Sequence, residues 1–189
     1  MHMKRWLHDQ KHHLAVLGSL AAQGDVPSLQ NYLLEYAGDF HVDIEATATG
    51  NRVLDALLAA KSMQCREQHI DLRSTVRIDG PLPLSDTELA SVVGNALDNA
   101  IEACHAVSAD PFVELTIDTQ NAMYKLSVAN SSAGSYCWVG GQLASTKGDG
   151  RGFGLARIRR LVEKAGGFVQ AKPGETMFRL NIWLPRRSA

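Results

Sequence analysis

The stretch Gly94–Val107, GNALDNAIEACHAV, decides how this chain is read, taken together with Arg151–Gly167, RGFGLARIRRLVEKAGG. At about 100° per helical residue, Asn95, Asp98, Asn99 and Glu102 of the first stretch fall within roughly one third of the circumference. Val93, Leu97, Ala100, Ile101 and Cys104 take the far side. Asn and Asp are poor interior helix formers. Two amides and two carboxylates in one stripe therefore mark either a solvated amphipathic face or a wall of oxygens turned to a ligand.

The second stretch weighs on that choice. Gly148, Gly150, Gly152 and Gly154 alternate ahead of a helix in which Leu155, Ile158, Leu161 and Val162 recur at helical spacing. Residues without side chains let backbone N–H groups approach phosphate oxygens, and the start of the following helix adds its positive dipole end. The Walker pattern GxxxxGK[ST] does not occur in the chain, so this is not a P-loop.

The pairing of an Asn95/Asn99 helix with GFGL (152–155) resembles the GHKL ATPase superfamily and, within it, the sensor histidine kinases. Asn95 and Asn99 are similar to the paired asparagines of its N box, and Gly152, Gly154 and Leu155 to its glycine box. The resemblance implies that Asn99 helps hold a magnesium ion bridging the phosphates of ATP. It also gives Asn95 meaning, because ATP-hydrolysing members carry a glutamate there as general base. An amide cannot take that proton, which suits transfer to an acceptor other than water.

A candidate acceptor lies at the other end of the chain. Residues 6–25, WLHDQKHHLAVLGSLAAQGD, resemble the HDxxNHL segment of the peptide-sensing, quorum-type branch, in which the histidine before the aspartate is phosphorylated. Here that histidine is His8. On a helical wheel Trp6, Leu7, Leu14, Leu17 and Leu20 share one side and His8 points about 200° from Trp6, so His8 is expected to face solvent. A neutral imidazole is a workable nucleophile near neutral pH, and Asp9 offers a carboxylate to fix its tautomer or take up the proton. His12 stands where the family pattern has asparagine, a departure that bears on phosphatase activity. His13 falls on the apolar side and is read as a packed, hydrogen-bonded residue. His41, His69 and His105 have no spacing that converges on a metal.

Composition agrees with a module of one large and one small part. The 189 residues can bury a substantial core, 45% are hydrophobic and the formal net charge is -1, so no nucleic-acid partner is expected. Cys65, Cys104 and Cys137 form no CxxC pair and suit a reducing cytoplasm, with Cys104 as buried apolar filling. No apolar run is long enough to span a membrane. The resemblance is to the cytoplasmic end of kinases whose sensor region is usually membrane-embedded. The expectation is therefore a fragment whose only membrane link is a sensor region absent from this chain.

Periodicity predicts a helix from Lys4 to about Ala22, a turn and new helix start at Gly24-Asp25 with Pro27, and a shorter helix over Leu29 to about Ala37. Leu14, Leu17, Leu20, Leu29, Leu33 and Leu34 leave this hairpin with more apolar surface than two helices can bury. Either a second copy covers it, in a four-helix bundle, or it folds back on its own ATPase part. A helix over 51–69 is followed by a strand carrying Ile70, Leu72, Val76 and Ile78, and Ser85 or Asp86 caps the asparagine-bearing helix. Val113, Leu115 and Ile117 pair with Tyr124, Leu126 and Val128 across a Gln120-Asn121 turn, and a last hairpin turns at Pro173-Gly174 to place Phe178, Leu180, Ile182 and Leu184 on one face.

Asn130–Arg151 reads as one long irregular connection, rich in Ser and Gly, similar in position to the family's ATP lid. Its start, NSSAG (130–134), resembles a degenerate DxGxG adenine motif in which Asn130 replaces the aspartate, Ser132 the first glycine, and Gly134 keeps the second. Lys147, after Ser145-Thr146, either reaches a phosphate or is a solvated lid lysine, and Arg151 is equally open.

The expected fold is α+β. A helical hairpin, 1–40, serves dimerisation and phosphotransfer, and a GHKL (Bergerat-type) α/β sandwich, 41–189, has its lid at about 130–151. The resemblance implies an ATP-dependent protein histidine kinase with His8 and Asp9 catalytic. It further implies Asn95, Asn99, Asn130, Gly134, Lys147, Gly152, Gly154 and Leu155 at the nucleotide, and ATP with Mg2+ at Asn99. A homodimer partner and a response-regulator receiver domain complete the expectation. A phosphotransfer scaffold with a degenerate site, or a GHKL ATPase or serine kinase, are the competing readings.

Overall fold

A computed structural model describes residues 2–37, 49–139, 142–144 and 153–186. The chain divides into two compact units, Met1–Val42 and Asp43–Ala189.

The first unit holds α1 (His2–Ala22) and α2 (Val26–Ala37), joined by a tight turn. The second helix begins at Val26, beside the helix start expected at Pro27. Asp25 Oδ1 accepts the Ser28 N–H at 3.1 Å, and Pro27 lies in the first turn, where its missing N–H forfeits no helical bond. His13 Nδ1 lies 2.8 Å from the Tyr32 hydroxyl, which ties α1 to α2. His13 is half-buried and partnered, as its place on the apolar side required. Leu14 is 65% exposed, Val26 53% and Leu33 42%, so within this unit a run of large apolar side chains is uncovered.

In the second unit α3 (Arg52–Glu67) starts on Asn51, whose side chain accepts from the Val53 and Leu54 N–H groups. It leads into β1 (Asp71–Val76). Next, α4 (Asp86–Cys104) opens with a capping box in which Ser85 accepts from Glu88 N–H and Glu88 accepts from Ser85 N–H. Strands β2 (Phe112–Gln120) and β3 (Met123–Ser131) follow, then the short β4 (Cys137–Val139) and β5 (Gln142–Ala144), α5 (Phe153–Lys164), β6 (Phe168–Pro173) and β7 (Met177–Pro185). The β2–β3 turn sets Asn121 at φ 57, a left-handed conformation that Asn tolerates better than most residues.

The main sheet has the order β1-β2-β3-β7-β6, with β1 parallel to β2 and every other pair antiparallel. It is a mixed sheet, and helices α3, α4 and α5 pack against it. Alternation explains which face they cover. Val113, Leu115 and Ile117 of β2, Tyr124, Leu126 and Val128 of β3, and Leu180, Ile182 and Leu184 of β7 are all buried. They meet Leu54, Leu58, Leu89, Leu97, Ile101 and Ile158 from the helices in one core. The intervening residues Glu114, Thr116, Asp118, Lys125 and Arg179 line a polar recess on the opposite face.

One expectation needs correction. Asn130 and Ser131 are the last residues of β3, not the start of an irregular connection, and β4 and β5 form an antiparallel hairpin within the predicted lid. Asn130 pairs with Val113 on one side and Phe178 on the other, so the sheet's ladder claims it. No described helix is long and apolar enough to cross a membrane.

Candidate functional site

The middle of α4 and the first turn of α5 meet at Gly154. A Cβ there would lie 3.2 Å from Asn99 Nδ2, 3.3 Å from Asn95 Oδ1 and 3.4 Å from Asn99 Oδ1. The backbone of α5 thus rests directly on the two side-chain amides, an approach that any side chain at 154 would widen. Unpaired N–H groups of a first helical turn carry partial positive charge, so this corner combines amide oxygens with anion-directed donors.

Asn95 is oriented by its own helix. Its Nδ2 donates to the Ser91 carbonyl at 2.5 Å and lies 3.4 Å from Ser91 Oγ, which leaves Oδ1 on the Gly154 side. Neither Asn95 nor Asn99 can accept a proton as a general base, whereas both present neutral oxygens of the kind a hard divalent cation takes as ligands. Such a donor set would fit a magnesium ion, with Asn99 and Asn95 supplying amide oxygens.

The polar stripe of α4 does not act as one wall. Asp98 turns to α3, where Lys61 Nζ lies 2.5 Å from its Oδ1 and also donates to Gln64 Oε1 at 2.9 Å. Glu102 is exposed. The four residues lie within one third of the helix, yet Asp98 meets Lys61 of α3 while Asn95 and Asn99 lie against Gly154 of α5.

Asn130 sits at the core-facing end of β3 and is 2% exposed. Its Nδ2 donates to the Ser131 carbonyl at 2.7 Å. Gly134 lies beyond, at φ 72, where a Cβ would be 2.7 Å from the Glu175 carbonyl oxygen. Its lack of a side chain lets the chain pass over the β6–β7 turn. Ser132 N–H donates to the Thr176 carbonyl at 2.9 Å, and the Tyr136 hydroxyl donates to the Gly174 carbonyl at 2.8 Å, so the same turn holds the segment that follows β3. Leu155 is half-buried and packs against the core.

Lys147, Gly152 and Arg151 lie outside the described residues. His8 and Asp9 lie within α1, and their side chains are outside the described ones. Ser91, Lys61 and Tyr136 were not singled out from the sequence. Ser91 lies four residues before Asn95, which is a readable signal for a back-bond along the helix, but nothing local marks Lys61 as the partner of Asp98.

A family profile described as GHKL domain matches residues 84–185. The chain is 30% identical over 163 residues to the sensor histidine kinase ZraS of Escherichia coli O157:H7. That match covers 81% of this chain and 34% of ZraS, so the chain spans about a third of that relative's length. The catalytic domain of histidine kinase ThkA, in a nucleotide-free form, superposes with a TM-score of 0.56 at 22% identity, over 72% of this chain and 91% of that one. The histidine kinase domain of the blue-light activated EL346 from Erythrobacter litoralis gives a TM-score of 0.55 at 18% identity, over 96% of this chain and 91% of that one. Both structural likenesses establish a shared fold.

Proposed function

The chain belongs to the GHKL domain family, and on that premise we propose that it is the phosphoacceptor and ATP-binding portion of a two-component protein histidine kinase. The single observation that carries the reading is the Gly154 backbone seated on Asn95 and Asn99. In this reading the first turn of α5 receives the phosphates, Asn95 and Asn99 line them with neutral amides, and Asn130 reads the base. Gly134 and Leu155, and by the sequence resemblance Lys147 and Gly152, are assigned to nucleotide binding in the same reading.

Asn99 is the residue that would hold magnesium, which when bound neutralises charge on the phosphate oxygens. Because Asn95 is no base, the site orients a triphosphate without activating water. The γ-phosphoryl goes instead to the unprotonated ring nitrogen of His8, in the same subunit or the dimer mate, as its bond to the β-phosphate oxygen breaks and ADP leaves, with Asp9 accepting the other ring N–H and its proton. Phosphohistidine then passes its phosphoryl group to an aspartate of a receiver domain. The 1–40 hairpin supplies dimerisation through its uncovered leucines. The HD-type segment around His8 favours the peptide-sensing branch, and with it a cytoplasmic piece of a membrane-anchored receptor.

Incubation with γ-labelled ATP and magnesium tests this. Acid-labile, alkali-stable label on the parent chain that disappears in His8→Gln is the expected result. Label that survives His8→Gln rejects the phosphoacceptor, and absence of both label and nucleotide binding leaves a phosphotransfer scaffold.

A further inference from the structure

The end of β3 carries a closed set of polar contacts beside the amide assigned to the base. Nδ2 of Asn130 is spent on the Ser131 carbonyl at 2.7 Å, so Oδ1 is the amide's remaining polar atom, an acceptor. Turning the amide over would set Oδ1 against that carbonyl, acceptor on acceptor, so one orientation is held.

The carbonyl is itself anchored. Ser131 Oγ accepts the Phe112 N–H at 3.0 Å, satisfying the first backbone donor of β2. Cys104, in the last turn of α4 and 2% exposed, points its thiol at the Phe112 carbonyl at 3.3 Å and at the Ser131 carbonyl at 3.9 Å. Burial pushes the Cys104 thiol above its ordinary pKa, so it keeps its proton and remains a donor. Phe112 is thereby gripped at both its N–H and its carbonyl. One helix serves both ends of the site: Asn99 meets Gly154, and Cys104, about 7.5 Å further along the axis, meets the strand end that carries Asn130.

We propose that Ser131 and Cys104 are positioning residues that set the purine preference of the site. By holding Asn130 Nδ2 on the Ser131 carbonyl, they leave Oδ1 as the atom the amide can turn to the base, and the pocket then demands an N–H donor. The 6-amino group of adenine supplies one, while guanine offers a carbonyl at that position and leaves two acceptors facing each other. This inference rests on the nucleotide-binding reading above and adds to it a basis for discrimination that lies outside the residues touching the base.

The test is the ratio of GTP to ATP dissociation constants, measured by calorimetry with magnesium on the full chain and its variants. The parent is expected to prefer ATP by about tenfold or more, the worth of one well-made hydrogen bond against an unpaired one. Ser131→Ala and Cys104→Val should each reduce that preference by about fivefold. Ser131→Thr and Cys104→Ser, which keep the polar groups, should retain it. A purely structural defect would weaken both nucleotides together and leave the ratio unchanged. Parent-like ratios in both Ser131→Ala and Cys104→Val overturn the proposal while leaving nucleotide binding intact, and either variant suffices if the other does not fold. A parent that binds ATP and GTP equally also overturns it. A parent that binds neither nucleotide overturns this inference and the functional reading together.

Discussion

Lys164 Nζ, in the last turn of α5, lies 2.8 Å from Glu88 Oε1 in the first turn of α4. The two helices therefore run antiparallel, and the opposite end of α5 brings Gly154 onto Asn95 and Asn99. Glu88 also accepts from Ser85 N–H at 3.0 Å and Ser85 Oγ at 2.9 Å, so one carboxylate both caps α4 and marks the register of α5.

That carboxylate makes stability pH-dependent in a definite direction. Lys164, then the Ser85 N–H and hydroxyl, hold Glu88 down at about 2, against an ordinary 4.5. A folded-state pKa below the unfolded one means the contribution is complete above 4.5 and is lost as pH falls from there through 2. The gap in thermal midpoint between parent and Glu88→Gln should be constant from neutral pH down to about 5 and close between 4.5 and 2. Scanning calorimetry across that range checks it, and a gap that widens in acid would refute the assignment.

Gly154→Ala places a methyl 3.2 to 3.4 Å from the two amides, close enough to force them aside by a few tenths of an ångström. Nucleotide affinity should fall several-fold in Gly154→Ala and more than about tenfold in Gly154→Val, with the circular dichroism spectrum retained. Unaltered affinity in the valine variant would remove the first turn of α5 from the phosphate site.

Asn99→Ala should remove the magnesium-dependent part of nucleotide binding and abolish labelling of His8, yet leave the self-association of the hairpin intact. Titrations with and without magnesium distinguish this from general damage. An undiminished magnesium effect would take Asn99 out of the metal role.

Leu14 and Leu33, exposed at 65% and 42%, are the side chains through which the α1–α2 unit is proposed to pair with a second copy. Changing both to Glu removes apolar burial from each protomer and should weaken dimerisation by more than about a hundredfold. The ATP affinity of the second unit should be unaffected. Sedimentation equilibrium reads the first effect and calorimetry the second, and a dimer of unchanged strength would exclude this face.

Much of the architecture was legible in one dimension because it rests on short-range periodicity. The alternation of Val113, Leu115 and Ile117 with Glu114, Thr116 and Asp118 specifies a strand with one buried face, and the structure has it so. Ser85 followed three residues later by Glu88 is a local cap signal, and both of its bonds form. The α2 start was legible as well, because Pro27 after Gly24-Asp25 is a helix-start signal, and the helix runs from Val26. The β3 boundary was missed because Asn130 and Ser131 look like loop residues. Their strand state comes from β2 and β7 on either side.

What the sequence determined by itself was the set of candidate groups: two amides one helical turn apart, a side-chain-free approach at Gly154, and an apolar face opposite them on α4. Tertiary structure alone decided how those groups are shared out. Asp98 and Asn99 are neighbours in the chain, yet one faces Lys61 on α3 and the other the backbone of α5. A helix sets the angle at which a side chain leaves it, and only the packing of its neighbours sets what that side chain meets.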